Sequence, residues 1–333
     1  MFRKQHHRKA NPIFILFRLI LSLVMFVVLL GGVYSAYKHF SGFDPLKLDP
    51  QAVLRSALSA RTPKQLLTIL SSVKLTQGLS STINQKVLGQ TKSSYSFKFL
   101  LIADSHNDSP NLQKAISQAK SANPDLAFII GLGDYTNVGT IDELRNTKKE
   151  FDTAGLRYFL VSGDHDLWDS RNQKLPADAN FKQVFGPTYQ AFTYQNFSFL
   201  LLDDSDDYLG FGNIQLDWVS SELEKSKAEG IKGIFVFLHE PLYHPSSDHF
   251  MGKLESSLKQ QAQSMIFQLK QSNVKKVFAG DIHFFSEYEE PTTKLPMVTV
   301  GAVVTDRNPQ APRYAVVTVF DDGTSKVDDI EIK

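Results

Sequence analysis

Five short polar blocks in this chain carry side chains suited to holding a cation: Asp104-Ser105-His106, Gly133-Asp134, Gly163-Asp164-His165-Asp166, His239-Glu240 and Gly280-Asp281-Ile282-His283. Carboxylates and imidazoles are donors for Mg²⁺, Mn²⁺, Fe²⁺ and Zn²⁺. The chain has no cysteine, so thiolate metal sites, disulfides and cysteine nucleophiles are excluded. Each block alone says little. Gly-Asp often only turns the chain, a strand-end acid can cap the next helix, and a lone histidine is usually a core or surface residue. Capping does not explain why histidines recur in the same kind of position.

That position is set by the surrounding elements. Each block directly follows an apolar run that reads as a buried strand: 97–103, 126–130, 158–161, 233–238 and 276–279. Helices are predicted over about 111–121, 141–154, 214–227 and 254–272, and a hairpin over 191–194 and 197–202 turned at Gln195-Asn196. Three further β segments surround Val298, Val317 and Val327. Strands alternating with helices early, and strands alone late, predict a layered α/β domain with two sheets. In such a domain, residues just past the carboxyl ends of strands gather at one edge. Hydrophobic residues make up 42% of the 333, enough for a sizeable core. The net charge of +1 gives no reason to expect a nucleic-acid partner.

Rival motifs fail on spacing. His239-Glu240-Pro241-Leu242-Tyr243-His244 puts its second histidine one residue too far for a zinc-protease helix, and Pro241 opposes a helix. Gly131-Leu132-Gly133 lacks the third glycine of a dinucleotide loop. His244 and His249 read as exposed loop histidines or pocket residues. Tyr135, Trp168, Tyr243 and Phe284 sit beside the blocks and either pack or touch substrate.

The order and spacing of the blocks resemble the calcineurin-like metallophosphoesterase superfamily, whose pattern is Asp-x-His, Gly-Asp, Gly-Asn-His-Asp/Glu, a lone His and Gly-His-x-His. The resemblance runs from about Phe97 to the C-terminus. It implies two mixed β-sheets sandwiched between helices, and two divalent ions (Mn, Mg, Fe or Zn). It also implies hydrolysis of a phosphate mono- or diester by a metal-bound hydroxide. Carried over residue by residue, Asp104, His106 and His283 bind the first metal and Asp134 bridges both. Asp164 and His239 bind the second, with Asp281 as a further ligand. His165 lies near the leaving oxygen as its proton donor. Asp166 either orients His165 or caps the following turn.

Two residues depart from the pattern: Asp164 replaces the family's Asn, and Asp281 replaces the first His of its last motif. Both changes fall on the second-metal side and both add a carboxylate. Asp104, Asp134, Asp164 and Asp281 then neutralise two divalent ions before substrate arrives. A harder second ion such as Mn²⁺ or Mg²⁺ is one consequence. A carboxyl that stays protonated is another. A weak or absent second metal is the third, and it makes a module that binds a metal or phosphorylated ligand without turnover the alternative function.

The N-terminal third reads differently. A basic tail, 1–12, precedes an apolar run from 13 to about 33 interrupted only by Arg18, Ser22 and two glycines, long enough to span a bilayer. The run and its aromatic flank, 13–37, predict a signal anchor. Basic residues before it place the N-terminus in the cytoplasm and the remainder outside a cell membrane. A cleaved signal peptide ending near Val33-Tyr34-Ser35 is the alternative. Residues 38–96 read as a stalk and linker with short helices, leading to a catalytic domain over 97–333.

Overall fold

The computed structural model describes Met25, residues 95–252 and residues 254–333. The predicted anchor and stalk lie outside the described residues. Among the described residues no helix is long and apolar enough to cross a membrane.

Two mixed sheets form the centre. The first has the order β11-β10-β1-β2-β3, built from β1 (Tyr95–Ile102), β2 (Leu126–Leu132), β3 (Arg157–Val161), β10 (Arg313–Phe320) and β11 (Ser325–Glu331). Strands β1, β2 and β3 run parallel, while β10 and β11 add antiparallel neighbours. The second sheet has the order β4-β5-β6-β7-β9-β8. Its strands are β4 (Gln190–Tyr194), β5 (Phe197–Leu201), β6 (Gly233–Phe237), β7 (Val274–Ala279), β8 (Ser286–Glu289) and β9 (Pro296–Thr299). Here β5, β6, β7 and β9 are parallel.

The period-two alternation of the strands splits their apolar residues between two layers. Phe97, Phe99, Leu101, Phe128, Phe199, Phe235, Phe237 and Phe278 fill the space between the sheets. Phe99 and Phe128 stack at 5.4 Å and Phe237 and Phe278 at 5.2 Å. Losing one such ring costs about 3–5 kcal/mol in comparable cores. Outward-facing Leu100, Ile102 and Ile129 meet α1 (Ser109–Ala122) and α2 (Ile141–Thr153) through Leu112, Ile116, Leu144 and Phe151. On the other side, Leu200, Val236 and Val277 meet α5 (Asn213–Ala228) and α6 (Leu258–Gln271) through Val219, Leu223, Met265 and Ile266. The two sheets are thus sandwiched between helices, the architecture expected from the sequence.

Local chemistry explains the boundaries. Thr140 and Glu143 form a capping box at the start of α2, worth about 1 kcal/mol. Gln195 and Asn196 take left-handed angles of 49° and 66° at the β4–β5 turn, as a two-residue hairpin loop requires. Two short helices, α3 (Trp168–Asn172) and α4 (Ala179–Phe185), and strand β8 escape periodicity because they are only a turn or two long. The last helix begins at Leu258 rather than 254. Strand β1 begins at Tyr95, inside the predicted linker.

Candidate metal centre

Parallel strands point their carboxyl ends the same way, so the five blocks meet at one edge. Asp104 and His106 follow β1, Asp134 follows β2, and Asp164 and His165 follow β3. His239 follows β6, and Asp281 and His283 follow β7. The chain turns there through left-handed backbone at Asp104 (φ 51°), His106 (φ 40°), Asp134 (φ 55°), Asp281 (φ 65°) and His283 (φ 58°). Such angles cost a non-glycine residue about 1–3 kcal/mol and cluster at functional sites. Hydrogen bonds between the loops hold them: Asp104 N–H to Gly133 O at 3.1 Å, His106 N–H to Asp134 O at 3.0 Å, and Asp281 N–H to Asp104 Oδ1 at 3.1 Å. Gly163 is required by contact. A Cβ there would lie 2.1 Å from Asp134 Oδ1 and 2.3 Å from Asp134 N.

The donors form overlapping groups around Asp134 and Asp164. Single donor atoms of Asp104, His106, Asp134 and His283 all lie within 4.8 Å of one another, as do those of Asp164, His239 and Asp281, and those of Asp134, Asp164 and His165. His106 Nε2 is 3.2 Å from His283 Nε2 and 3.4 Å from Asp134 Oδ2. His239 Nε2 is 3.5 Å from Asp134 Oδ1 and 3.6 Å from Asp164 Oδ1. Bonds of about 2.0–2.2 Å put neighbouring ligands about 3–3.5 Å apart, so these spacings suit a shared ion in each group. Asp134 turns one oxygen to each.

Backbone carbonyls set the histidine tautomers. His239 Nδ1 meets Leu132 O at 2.7 Å, His283 Nδ1 meets Arg307 O at 3.1 Å, and His165 Nδ1 meets Asn137 O at 2.8 Å. Each Nδ1–H is thereby used, and Nε2 is the working end. His239 Nε2 and Asp104 Oδ2 are buried without a hydrogen-bond partner. Buried polar atoms normally have one, and a divalent cation would supply it. The donor set therefore fits two such ions.

Electrostatics agrees. Burial, reinforced by the charges of Asp281 and Asp164, pushes Asp104 up to about 8. Burial and Asp164 likewise raise Asp134 well above the carboxylate range. Burial opposes a proton on His239, yet Asp134, Asp164, Asp281 and Asp104 outweigh it and raise that ring well above its usual value. The field that favours a proton on Nε2 also favours a metal ion there. Burial and neighbouring rings instead hold His106 low, and burial holds His283 at about 4, so both rings are neutral.

Around this centre the structure redistributes the expected roles. Asp166 is fully buried and accepts from Gly163 N at 3.0 Å, Thr136 N at 3.0 Å and Thr136 Oγ1 at 2.8 Å. It ties the loop after β2 to the loop after β3. The His165 ring is oriented instead by Asn137 O and by Trp168, stacked on it at 3.7 Å. Tyr135 is a core residue, its hydroxyl donating to Val161 O at 2.9 Å. Phe284 is buried against His244, and Tyr243 packs beside Tyr288. His244 is itself buried, accepting from Ser247 N at 2.9 Å. His249 Nδ1 lies 4.0 Å from Asp281 Oδ2, at the edge of the second group.

Sequence reasoning missed Asp204 and Asp207. Asp204 is fully buried and accepts from His239 N at 2.9 Å, fixing the histidine's backbone. Burial raises it to about 7. Asp207 is raised to about 6 by burial and by the charges of Asp164 and Asp281. Burial with Asp281 and Asp204 drives Glu240 up to about 10. The signal was present: Asp203-Asp204-Ser205-Asp206-Asp207 is a sixth polar block just past a strand, lacking only a histidine.

The family model for calcineurin-like phosphoesterases matches residues 97–285, more than half of the chain, and the protein belongs to that family. No curated protein sequence matches it. Its fold is similar to that of a dimetal phosphatase from Danio rerio (15% identity, TM-score 0.55), with 71% of this chain and 99% of that one covered. It is also similar to the purple acid phosphatase PPD1 of yellow lupin, Lupinus luteus (12% identity, TM-score 0.53), with 72% of this chain covered. The chain spans about half of the lupin protein, 52% of its length.

Proposed function

We propose that this protein is a metal-dependent hydrolase of phosphate mono- or diesters. We further propose that the apolar segment 13–33 tethers it to a membrane, with the catalytic domain on the extracytoplasmic side. The observation that carries the enzymatic reading is Asp134, whose two oxygens face two separate donor groups. Asp104, His106 and His283 would hold one cation, and Asp164, His239 and Asp281 the other. When bound, such ions polarise phosphoryl oxygens and acidify a water molecule. The oxygen-rich second group favours Mn²⁺ or Mg²⁺.

The protein's own part is positional. The loops lock the donors before substrate arrives, through backbone hydrogen bonds and the Asp166 brace. His165 keeps Nε2 toward the centre because Nδ1 is held by Asn137 O. From there it would hand a proton to the departing oxygen. The tether rests on the basic residues before the apolar run and their scarcity after it.

The test is hydrolysis of phenyl phosphate and diphenyl phosphate by full-length protein in detergent, with Mn²⁺, Mg²⁺ and Zn²⁺ added separately. Turnover with Mn²⁺ is expected. Asp134→Asn should lower it by about three orders of magnitude, and His165→Ala by about 10²–10⁴-fold. Folded wild-type protein that binds metal yet cleaves neither ester would establish the non-catalytic binding module instead.

A further inference from the structure

The loop after β9 is tied to the first donor group at several points. Val303 N donates to Ala103 O at 3.0 Å, and Val304 N to Asp104 O at 3.0 Å. Arg307 O receives the His283 Nδ1 hydrogen bond at 3.1 Å, and Gln310 Oε1 accepts from Phe285 N at 2.9 Å. Inside the loop, Asn308 Nδ2 donates to Ala302 O at 3.1 Å and to Val304 O at 2.8 Å. The loop is thus held against the blocks that follow β1 and β7, and Arg307 sits directly on His283. Its backbone is left-handed, with φ 56°. A side chain keeps such an angle only where its surroundings fix it.

Arg307 is exposed, and among the described residues its guanidinium forms neither an ion pair nor a hydrogen bond. Arg145, Arg171 and Arg313, by contrast, each pair with an aspartate. The Arg307 charge is felt inside the centre. Behind burial and the His283 and His165 rings, it also lowers the proton affinity of His106, and behind burial it acts on His283 in the same sense. An anion needs a fixed positive charge here. Asp104, Asp134, Asp164 and Asp281 would balance two divalent ions, leaving no net positive charge for a phosphate. Asp207 and Glu240 add acid on the Asp164 and Asp281 side. A guanidinium offers a planar fork of donors that matches phosphoryl oxygens.

We infer that Arg307 binds a non-bridging oxygen of the substrate's phosphoryl group, and that the substrate is a phosphate monoester. The inference rests on the phosphoesterase reading. A monoester has three non-bridging oxygens and, above about pH 6, close to two negative charges. A diester has two such oxygens and one charge. Where two oxygens are taken up by a pair of cations, only the monoester keeps a third for the guanidinium. Arg307 takes no part in making or breaking a bond. It holds the anion on the His106 and His283 side, away from the surplus carboxylates.

The experiment measures inorganic phosphate binding by calorimetry to full-length, Mn²⁺-loaded protein in detergent at about pH 8, where phosphate is doubly charged. Wild type, Arg307→Ala and Arg307→Lys are compared, and hydrolysis of phenyl phosphate and diphenyl phosphate is followed alongside. The carbonyl that holds His283 belongs to the main chain, so both variants keep it. Arg307→Ala should weaken phosphate binding by about 10–100-fold and lower kcat/KM for phenyl phosphate by a similar factor. Its effect on diphenyl phosphate should stay below about threefold. Arg307→Lys should recover part of the loss, since it keeps the charge but not the fork. Manganese stoichiometry should not change. Unaltered phosphate affinity in Arg307→Ala, or equal losses on the two esters, would overturn the inference and leave the hydrolase reading standing. Loss of bound manganese together with phosphate would also overturn it, by reducing Arg307 to a support for His283. Weakened phosphate binding in the variant of a protein that cleaves neither ester would keep Arg307 as the anion contact and remove the hydrolase reading alone.

Discussion

The two donor groups share Asp134 yet are electrostatic opposites. Around His106 and His283, two imidazoles are kept neutral by burial, beside Asp104. Around His239, a single imidazole faces Asp164 and Asp281, with Asp204, Asp207 and Glu240 close behind. The first group is a mixed nitrogen–oxygen site. The second gathers more negative charge: burial, with these carboxylates around it, raises Asp207 and Glu240, while His239, outweighing burial, holds Asp164 itself below the usual carboxylate range. The contrast puts the second group's additional carboxylates on two residues, Asp164 and Asp281.

The largest effect expected from this contrast is on metal affinity against pH. Asp104 at about 8 and His239, raised well above its usual value, both hold protons in the metal-free protein near neutrality. A cation must displace them, so affinity rises with pH, by about tenfold per unit for each proton released, until the group is ionised without help. Calorimetry of Mn²⁺ binding between pH 6 and 8 in buffers of different ionisation enthalpy should show proton release. A flat profile would mean that neither Asp104 nor His239 holds a proton in the metal-free protein. Asp281→His comes next. A nitrogen donor in place of a carboxylate should raise the Zn²⁺-to-Mn²⁺ affinity ratio by about tenfold or more in competition titrations. An unchanged ratio would mean that Asp281 is not a ligand.

The smallest effect belongs to a histidine outside both groups. Burial holds His244 at about 3, so its ring is neutral in the fold. Below about 6.5 the unfolded chain takes up a proton that the folded one refuses. The stability contributed is therefore complete above 6.5 and lost as pH falls toward 3, by about 1.4 kcal/mol per unit. His244→Asn should flatten the fall of Tm with acid relative to wild type, without altering metal stoichiometry. A changed stoichiometry would move His244 into the centre.

Much of this was legible without coordinates. Apolar runs of strand length end at Ala103, Leu132, Leu238 and Ala279, and polar blocks begin at the next residue or two. The Gln195-Asn196 turn declared its hairpin for a purely local reason, the positive φ that such loops need. Asp166 and His244 could not be read in the same way. Whether a carboxylate braces the backbone amides of Gly163, Tyr135 and Thr136 or orients a ring depends on neighbours some thirty residues away, as with Tyr135 and Thr136. The acid block 203–207 carried a signal, but not that Asp204 would accept from the His239 amide.

The sequence by itself determined the strands, the residue types at their ends, and so the kind of ion they could hold, because periodicity and donor chemistry are properties of short segments. Only the tertiary structure decided that carbonyls of Leu132, Asn137 and Arg307 choose the histidine tautomers, and that Asp204 holds the His239 amide. Those depend on which distant segments meet, and that is settled by packing two sheets against each other rather than by any local preference.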